Sequence, residues 1–344
     1  SFQTGAILAM ASYPEFDPNR YQDYSRAHHL NQAVTLGYEP GSTFKMITIA
    51  AGLSEGLISP DQEFFCENGE YKIGINMIRD TSPHGLMTLQ QVLKKSSNIC
   101  AAKIGMSMPP TRFHEYIMRF GFGRRSNSGI AAEATGRVIS PKKWQTIDHA
   151  NISFGQAILV SPLQMVSAAN VFANEGEWVP PFIVEYAVDK NGNKLQEIKD
   201  VGGKVSHKFG LGVRSRVVEG SVAELVKKYL ISVTQKGGTA QKAAILGYQV
   251  AGKTGTSQIY DQQLGRYSQT RYIASFVGFA PASDPLVTVL VVVEQPRTSI
   301  YGGTIAAPIF KEIVQRTLLF KDVLPFPEEN SEGTTALLET TVIQ

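Results

Sequence analysis

Apolar positions in this chain gather into strand-like runs at its two ends and helix-like runs between them. Thr4-Gly-Ala-Ile-Leu-Ala-Met-Ala11 reads as a strand, and Ser12 to Ala27, with two prolines and no clear period, as a loop. Pro40-Gly41 stops the extended chain, and Ser42 opens an apolar helix over Thr43 to Leu53 that Gly52 and Gly56 end. Thr88 to Lys95 is a second short helix. Ser161-Pro162 is an N-cap and first-turn pair for a helix reaching Asn174, with Gly176 as terminator. Phe182 to Val188 and Lys194 to Ile198 flank Asn191-Gly192 as a hairpin, and the glycine-rich Val201 to Gly212 reads as a linker or flexible loop. Glu219 to Val233 is an amphipathic helix ended by Gly237-Gly238. The last third turns to strands at Gln249–Ser257, Arg271–Ala280 and Leu286–Glu294, the last two joined by the turn Ala282 to Pro285. A closing helix follows at Ile305–Leu319.

An early strand, intervening helices and three late strands predict one sheet covered by helices. The sheet lobe takes residues 1–40 and 236–320, and a mainly helical lobe is inserted over 45–235. Residues 321–344 form an acidic tail expected to be mobile.

Composition changes this picture little. The chain has 344 residues and is 43% hydrophobic, enough for a large core. Net charge is +3, but the acidic tail leaves 32 basic and 25 acidic residues in the first 320. That surplus suits anionic partners such as acidic peptides or a lipid surface, or an ordinary soluble surface. No Lys/Arg-dense run supports nucleic-acid binding. Cys66 and Cys100 define no disulfide framework, and Cys100, in an apolar stretch, reads as a buried small hydrophobe. No apolar run is long enough to cross a bilayer. The opening on Ser1, directly into a strand, reads as a piece of a longer protein whose anchor lies elsewhere.

Three short strings carry candidate chemistry: Ser42-Thr43-Phe44-Lys45, Ser96-Ser97-Asn98 and Lys253-Thr254-Gly255-Thr256. Ser42 and Lys45 share a helix face, and a lysine whose ammonium is destabilised by burial or a nearby cation such as Lys253 can serve as the serine's base. Ser96 can relay a proton, and Asn98 can fix the lysine and hold a substrate amide. Gly255 within a strand leaves room for another backbone, such as a substrate strand added along the edge. Lys253 and Thr256 would face a carboxylate, and the N–H groups of Ser42 and Thr256 could form an oxyanion hole. Alone, the three strings read as an N-cap serine with a solvent-facing lysine, a polar helix end and an edge strand with an exposed lysine. Their conjunction on the expected elements is what gives them weight.

With these strings, the chain resembles the transpeptidase domain of class B penicillin-binding proteins, the type working in cell division or elongation. Further stretches share the resemblance: Phe16-Asp-Pro-Asn19, Tyr38-Glu-Pro-Gly41, Ala132-Glu-Ala-Thr-Gly136, Ser153-Phe-Gly-Gln156, Gly238-Thr-Ala240 and Tyr301-Gly-Gly303. The resemblance spans about residues 4 to 320. It implies the mixed α/β fold of serine β-lactamases and D,D-peptidases, an antiparallel five-stranded sheet covered by helices with an inserted helical lobe. It implies peptidoglycan D,D-transpeptidation, with Ser42 acylated by a stem peptide, D-Ala released and an amine of a neighbouring stem accepting the acyl group. Lys45 is then the base, Ser96 the proton relay, and Asn98 the orienting amide. Lys253, Thr254, Gly255 and Thr256, with Ser97, hold the substrate. No metal or cofactor is implied. β-Lactams would trap Ser42. The parent protein would be membrane-anchored on the extracytoplasmic side and paired with a polytopic glycosyltransferase and division or elongation proteins.

Departures from the pattern are small. Ser97 stands where some relatives have aspartate, and Ile259 to Thr270, with Tyr260, Arg266 and Tyr267, forms an insert that either shapes the acceptor side or is a mobile hairpin. His28 and His29 read as surface residues. The rival readings are a serine β-lactamase, for which Glu133 is the acidic candidate in the inserted lobe, a D,D-carboxypeptidase, and a non-catalytic β-lactam sensor.

Overall fold

The computed structural model describes residues 1–195, 197–199, 205–208, 212–261, 263 and 265–325. A short helix α1 (Gln32–Thr35) is followed by a 3-10 turn over Gly41–Phe44 that runs directly into α2 (Lys45–Ser54). Next come β1 (Glu63–Phe65), β2 (Glu70–Ile73), β3 (Asn76–Arg79) and β4 (Leu86–Thr88), paired β1 with β4 and β2 with β3. The helices α3 (Leu89–Lys95), α4 (Asn98–Met106), α5 (Pro110–Arg119), α6 (Thr146–Ile152) and α7 (Pro162–Ala173) follow. Short strands β5 (Glu177–Trp178), β6 (Ala187–Val188), β7 (Lys194–Leu195), β8 (Glu197–Lys199), β9 (Val205–Lys208) and β10 (Ser215–Arg216) lead to α8 (Gly220–Thr234). The chain closes with β11 (Ala251–Asp261), β12 (Arg266–Ala280), β13 (Val287–Glu294) and α9 (Gly302–Phe320).

Local sequence explains the starts of the key elements. Thr88 and Ser161 each build a capping box, with Gln91 and Gln164 returning the bond, and Pro162 fills the first turn where its missing N–H costs nothing. Asn191-Gly192 makes the expected turn, but the strands beside it are only two residues each, Ala187–Val188 and Lys194–Leu195. Within the expected linker Val201–Gly212, only Val205–Lys208 and Gly212 are described, the former paired with Glu197–Lys199; the tail beyond Pro325 lies outside the described residues.

The main sheet runs β11-β12-β13, antiparallel throughout, with Lys253 opposite Val277 and Phe276 opposite Val291. Its pleat sends alternate side chains to two helical layers. Phe276 stacks edge-on against Phe310 of α9 on one face, with ring centroids 4.7 Å apart. On the other face Thr288 donates to Asn170 of α7, and Thr234 of α8 donates to the Val250 carbonyl. The aromatic core of the helical body lies behind α2, where Phe44 packs on Phe113 and Phe122.

The sheet departs from expectation in one respect. Five strands were expected, the first from the N-terminal run, yet among the described residues it holds three. Residues 4–11 are diverted: Ile7 donates to the Phe182 carbonyl and Phe182 donates to the Gly5 carbonyl, a single parallel bridge. This leaves a groove of about 930 Å³ between that segment and β13, lined by residues such as Leu8, Met10, Leu290 and Val292.

Candidate active site

Ser42 sits within the 3-10 turn, not on the α-helix itself. The difference matters, because side chains three apart share a face across a 3-10 turn, which brings Ser42 and Lys45 to the same side. Gly41 makes the turn possible. Its φ is +55°, its N–H donates to the Gly155 carbonyl, and a Cβ there would meet the Thr256 carbonyl oxygen at 2.9 Å. The turn is thereby pressed against β11, the outer strand of the sheet.

Gly255 completes that contact from the other side. A Cβ on it would meet Ser275 Oγ at 2.3 Å, the Pro40 carbonyl oxygen at 2.9 Å and Thr43 Cγ2 at 3.0 Å. A close backbone approach was expected here from a substrate strand. The approaching backbone is instead the chain's own serine turn.

Lys45 is fully buried. Its Nζ donates to the Ser96 carbonyl at 2.5 Å and to Asn98 Oδ1 at 2.7 Å, and lies 3.2 Å from Ser96 Oγ. Asn98 is oriented for this by its own Nδ2, which donates to the Arg79 carbonyl. Burial pushes the Lys45 ammonium from its ordinary 10.5 down to about 7, against the opposing pull of the Asp80 carboxylate. A neutral amine keeps two N–H groups, which suit the two carbonyl-type acceptors, and its lone pair then points toward hydroxyls.

Ser96 ends α3 in the left-handed region, with φ +65°. That conformation turns both its carbonyl and its hydroxyl toward Lys45. The same hydroxyl accepts from Lys253 Nζ at 2.9 Å. Lys253 is also fully buried, and its ammonium is pushed well below its usual value by burial and then by the Lys45 charge.

The pleat divides the third string. Thr254 and Thr256 project toward α9, where Gly302 N–H donates to Thr256 Oγ1 at 3.4 Å. Lys253 and Gly255 project to the opposite face, toward the serine turn and Ser96. Lys253 and Thr256 therefore do not face one side together. The Lys253 ammonium instead curls back to the Thr254 carbonyl at 3.2 Å and to Thr254 Oγ1 at 3.4 Å.

Ser97 was expected among the substrate contacts, and its position corrects this. It is 1% exposed, donates to Asp80 Oδ2 at 2.6 Å and accepts from Cys100 N–H as the N-cap of α4. Its hydrogen-bonding capacity goes to starting a helix.

Sequence reasoning missed two features around this string. Asp80 Oδ1 accepts from the Asn98 and Ile99 N–H groups at 2.5 and 3.2 Å, so one carboxylate holds the whole start of α4. An aspartate at a helix N-terminus is ordinary chemistry, but its position 18 residues before Asn98 gave no local signal. The second feature is a disulfide between Cys66 and Cys100, with Cα atoms 5.2 Å apart. Cys100 is buried as expected but is not a free hydrophobe: the β1–β4 pair brings Cys66 onto the first turn of α4.

The Ile259–Thr270 insert is anchored toward its tip, where Tyr267 pairs with Tyr260. Tyr267 donates at 2.8 Å to Oε1 of Glu39, three residues before Ser42, and Ala157 N–H donates to the same oxygen at 3.0 Å. Burial raises the Glu39 carboxyl above its usual range. Glu133, the acidic candidate of the inserted lobe, is fully engaged, accepting from the Ser126, Asn127 and Ser128 N–H groups and the Ser128 hydroxyl. Among the described residues no His/Cys/Asp/Glu group could hold a metal ion.

The family model "Penicillin binding protein transpeptidase domain" matches residues 1–315. The Neisseria flavescens protein named "Probable peptidoglycan D,D-transpeptidase PenA" is 33% identical over 324 residues, 94% of this chain and 74% of its own length. Stage V sporulation protein D of Bacillus subtilis is 33% identical over 320 residues, and the chain spans about half its length (48%). Among solved structures, the transpeptidase domain of Burkholderia pseudomallei penicillin-binding protein 3 superposes with a TM-score of 0.78 at 32% identity, covering 94% of this chain and 87% of that one. Penicillin-binding protein 3 of Mycobacterium tuberculosis, complexed with ampicillin, reaches 0.83 at 29% identity, covering 99% and 74%.

Proposed function

This chain belongs to the penicillin-binding protein transpeptidase family, and we propose that it is a serine-type peptidoglycan D,D-transpeptidase acting through an acyl-enzyme on Ser42. The observation that carries this reading is the buried relay Lys45–Ser96–Lys253 beneath the serine turn.

In this reading Lys45, near 7, takes the Ser42 proton as Oγ attacks the carbonyl carbon of the D-Ala–D-Ala amide. The N–H groups of Ser42 and Thr256 receive the oxyanion. Ser96 holds its two acceptor positions toward the lysines, which leaves its own proton for the departing amine, with replacement from Lys45. The C–N bond breaks, D-Ala leaves, and an amine of a second stem attacks the ester by the reverse path. Lys253 polarises Ser96, while burial keeps the Lys45 ammonium disfavoured. Thr254 and Thr256 offer hydroxyls to the terminal carboxylate.

The same acylation by a β-lactam gives an adduct with no leaving group to depart. A β-lactamase needs a base for deacylation, and Glu133, its acidic candidate here, has its oxygens occupied by backbone N–H groups. The parent protein would work on the outer side of the cytoplasmic membrane, anchored there and paired with a polytopic glycosyltransferase and division or elongation proteins. The disulfide suits that oxidising side. No helix of the described residues is long and apolar enough to cross a membrane.

The test is intact-protein mass spectrometry after incubation with benzylpenicillin, with Ser42→Ala as control. A lasting adduct on Ser42 supports the reading. A short-lived adduct with rapid loss of the drug means a β-lactamase, and no adduct removes the acyl-enzyme.

A further inference from the structure

We propose that Thr239 is a further substrate-contacting residue, whose hydroxyl joins Thr254 and Thr256 in binding the C-terminal carboxylate of the donor peptide. The inference rests on the transpeptidase reading and adds a residue to it.

Thr239 lies in the loop between α8 and the 3-10 turn Gln241–Ala243. Its hydroxyl is 3.0 Å from Thr254 Oγ1, on the α9 side of β11. Thr254 is 8% exposed, whereas Thr239 is exposed. An exposed hydroxyl bonded to another hydroxyl contributes little to folding, since water replaces either partner. The same pair presents two rotatable protons, and only one is needed for the mutual bond, so a carboxylate can take the other.

The loop is built to hold this hydroxyl still. Gly238 N–H donates to the Gln235 carbonyl at 2.9 Å and Ala240 N–H to the Val233 carbonyl at 3.0 Å. A Cβ on Gly303 would meet the Thr239 carbonyl oxygen at 2.0 Å, so α9 is packed directly on the loop. From across the cleft, Lys95 Nζ donates to the Gly237 carbonyl at 2.9 Å, tying the loop to the residue before Ser96. Thr239 is therefore fixed to both walls of the site.

Charge placement gives the hydroxyl a task. Lys253 is buried, lies 2.9 Å from Ser96 Oγ and touches the α9 side of β11 only at the Thr254 carbonyl and, at 3.4 Å, Thr254 Oγ1, so a carboxylate on that side meets mainly hydroxyls and N–H groups. A carboxylate there can accept from several donors at once. Thr254 and Thr256 supply two hydroxyls, and Thr239 supplies a third, already aligned with Thr254.

The experiment compares acylation rates for benzylpenicillin and its methyl ester in wild type, Thr239→Val and Thr239→Ser, by intact mass. Valine keeps the shape and removes the hydroxyl. The expected result is a loss about tenfold larger for the acid than for the ester in Thr239→Val, with the wild-type ratio kept in Thr239→Ser. The ratio is independent of how much variant folds, because both probes read the same folded fraction. An unchanged ratio in Thr239→Val overturns the contact, as does a serine variant that behaves like valine. A wild type that forms no Ser42 adduct with either probe overturns the transpeptidase reading and this contact with it.

Discussion

Lys45 and Lys253 converge on one atom: Ser96 Oγ lies 3.2 Å from the first ammonium nitrogen and 2.9 Å from the second. Two buried cations around one hydroxyl cannot both keep full charge at low cost: burial favours the neutral form of each, and the Lys45 charge adds to this at Lys253. A lysine base without a histidine depends on that relationship.

Lys45 must be neutral to accept the Ser42 proton. With its value near 7, acylation should be slow in acid and rise through pH 7 to a plateau. Lys45→Ala should lower the acylation rate by about a thousandfold and remove this limb. Stopped-flow acylation against pH reads both; a flat profile in wild type would remove the lysine from the base role.

Asp80 raises the Lys45 value while it holds the start of α4. Asp80→Asn keeps the shape and removes the charge, so the acidic limb should move to lower pH. Asp80→Ala should also leave the Asn98 and Ile99 N–H groups unpaired and cost about 2 kcal/mol of stability. The limb position in the asparagine variant decides the electrostatic part, because a purely structural role would not move it.

Gly255→Ala should nearly abolish acylation while preserving most of the fold. The added methyl meets the Pro40 carbonyl, Thr43 and Ser275, and relief comes by parting β11 from the serine turn. Circular dichroism with penicillin labelling separates the outcomes. Retained labelling would mean that the turn and strand do not need this contact.

Breaking Cys66–Cys100 opens a loop spanning a sequence separation of 34 residues. Cys66→Ser with Cys100→Ser should lower stability by about 3–4 kcal/mol in chemical denaturation and slow acylation, since Cys100 is two residues past Asn98. Reductant should do the same to wild type and nothing to the double variant.

Much of this site is legible in sequence because its parts are local. The Ser42 turn, the capped helix before Ser96 and the strand around Lys253 are each specified by neighbours within four or five residues. What escaped depends on the chain folding back. Asp80 and Cys66 reach α4 only through the paired strands β1 to β4, and the role of Ser97 changes once Asp80 is beside it. The split between Lys253 and Thr256 was implicit in the two-residue period of a strand, and the face each takes was fixed only by α9 and the serine turn. The first strand was misplaced because a competing partner, Phe182, takes its backbone groups.

Ser96 occupies a backbone region that costs a non-glycine residue about 1 kcal/mol or more. Glycine would sit there at ease, yet glycine carries no hydroxyl. Ser96→Gly should therefore ease the backbone, yet it leaves two buried lysines without their shared hydroxyl acceptor and the protein unable to pass a proton. The residue marks a point where backbone ease is given up so that one hydroxyl can serve two buried lysines at once.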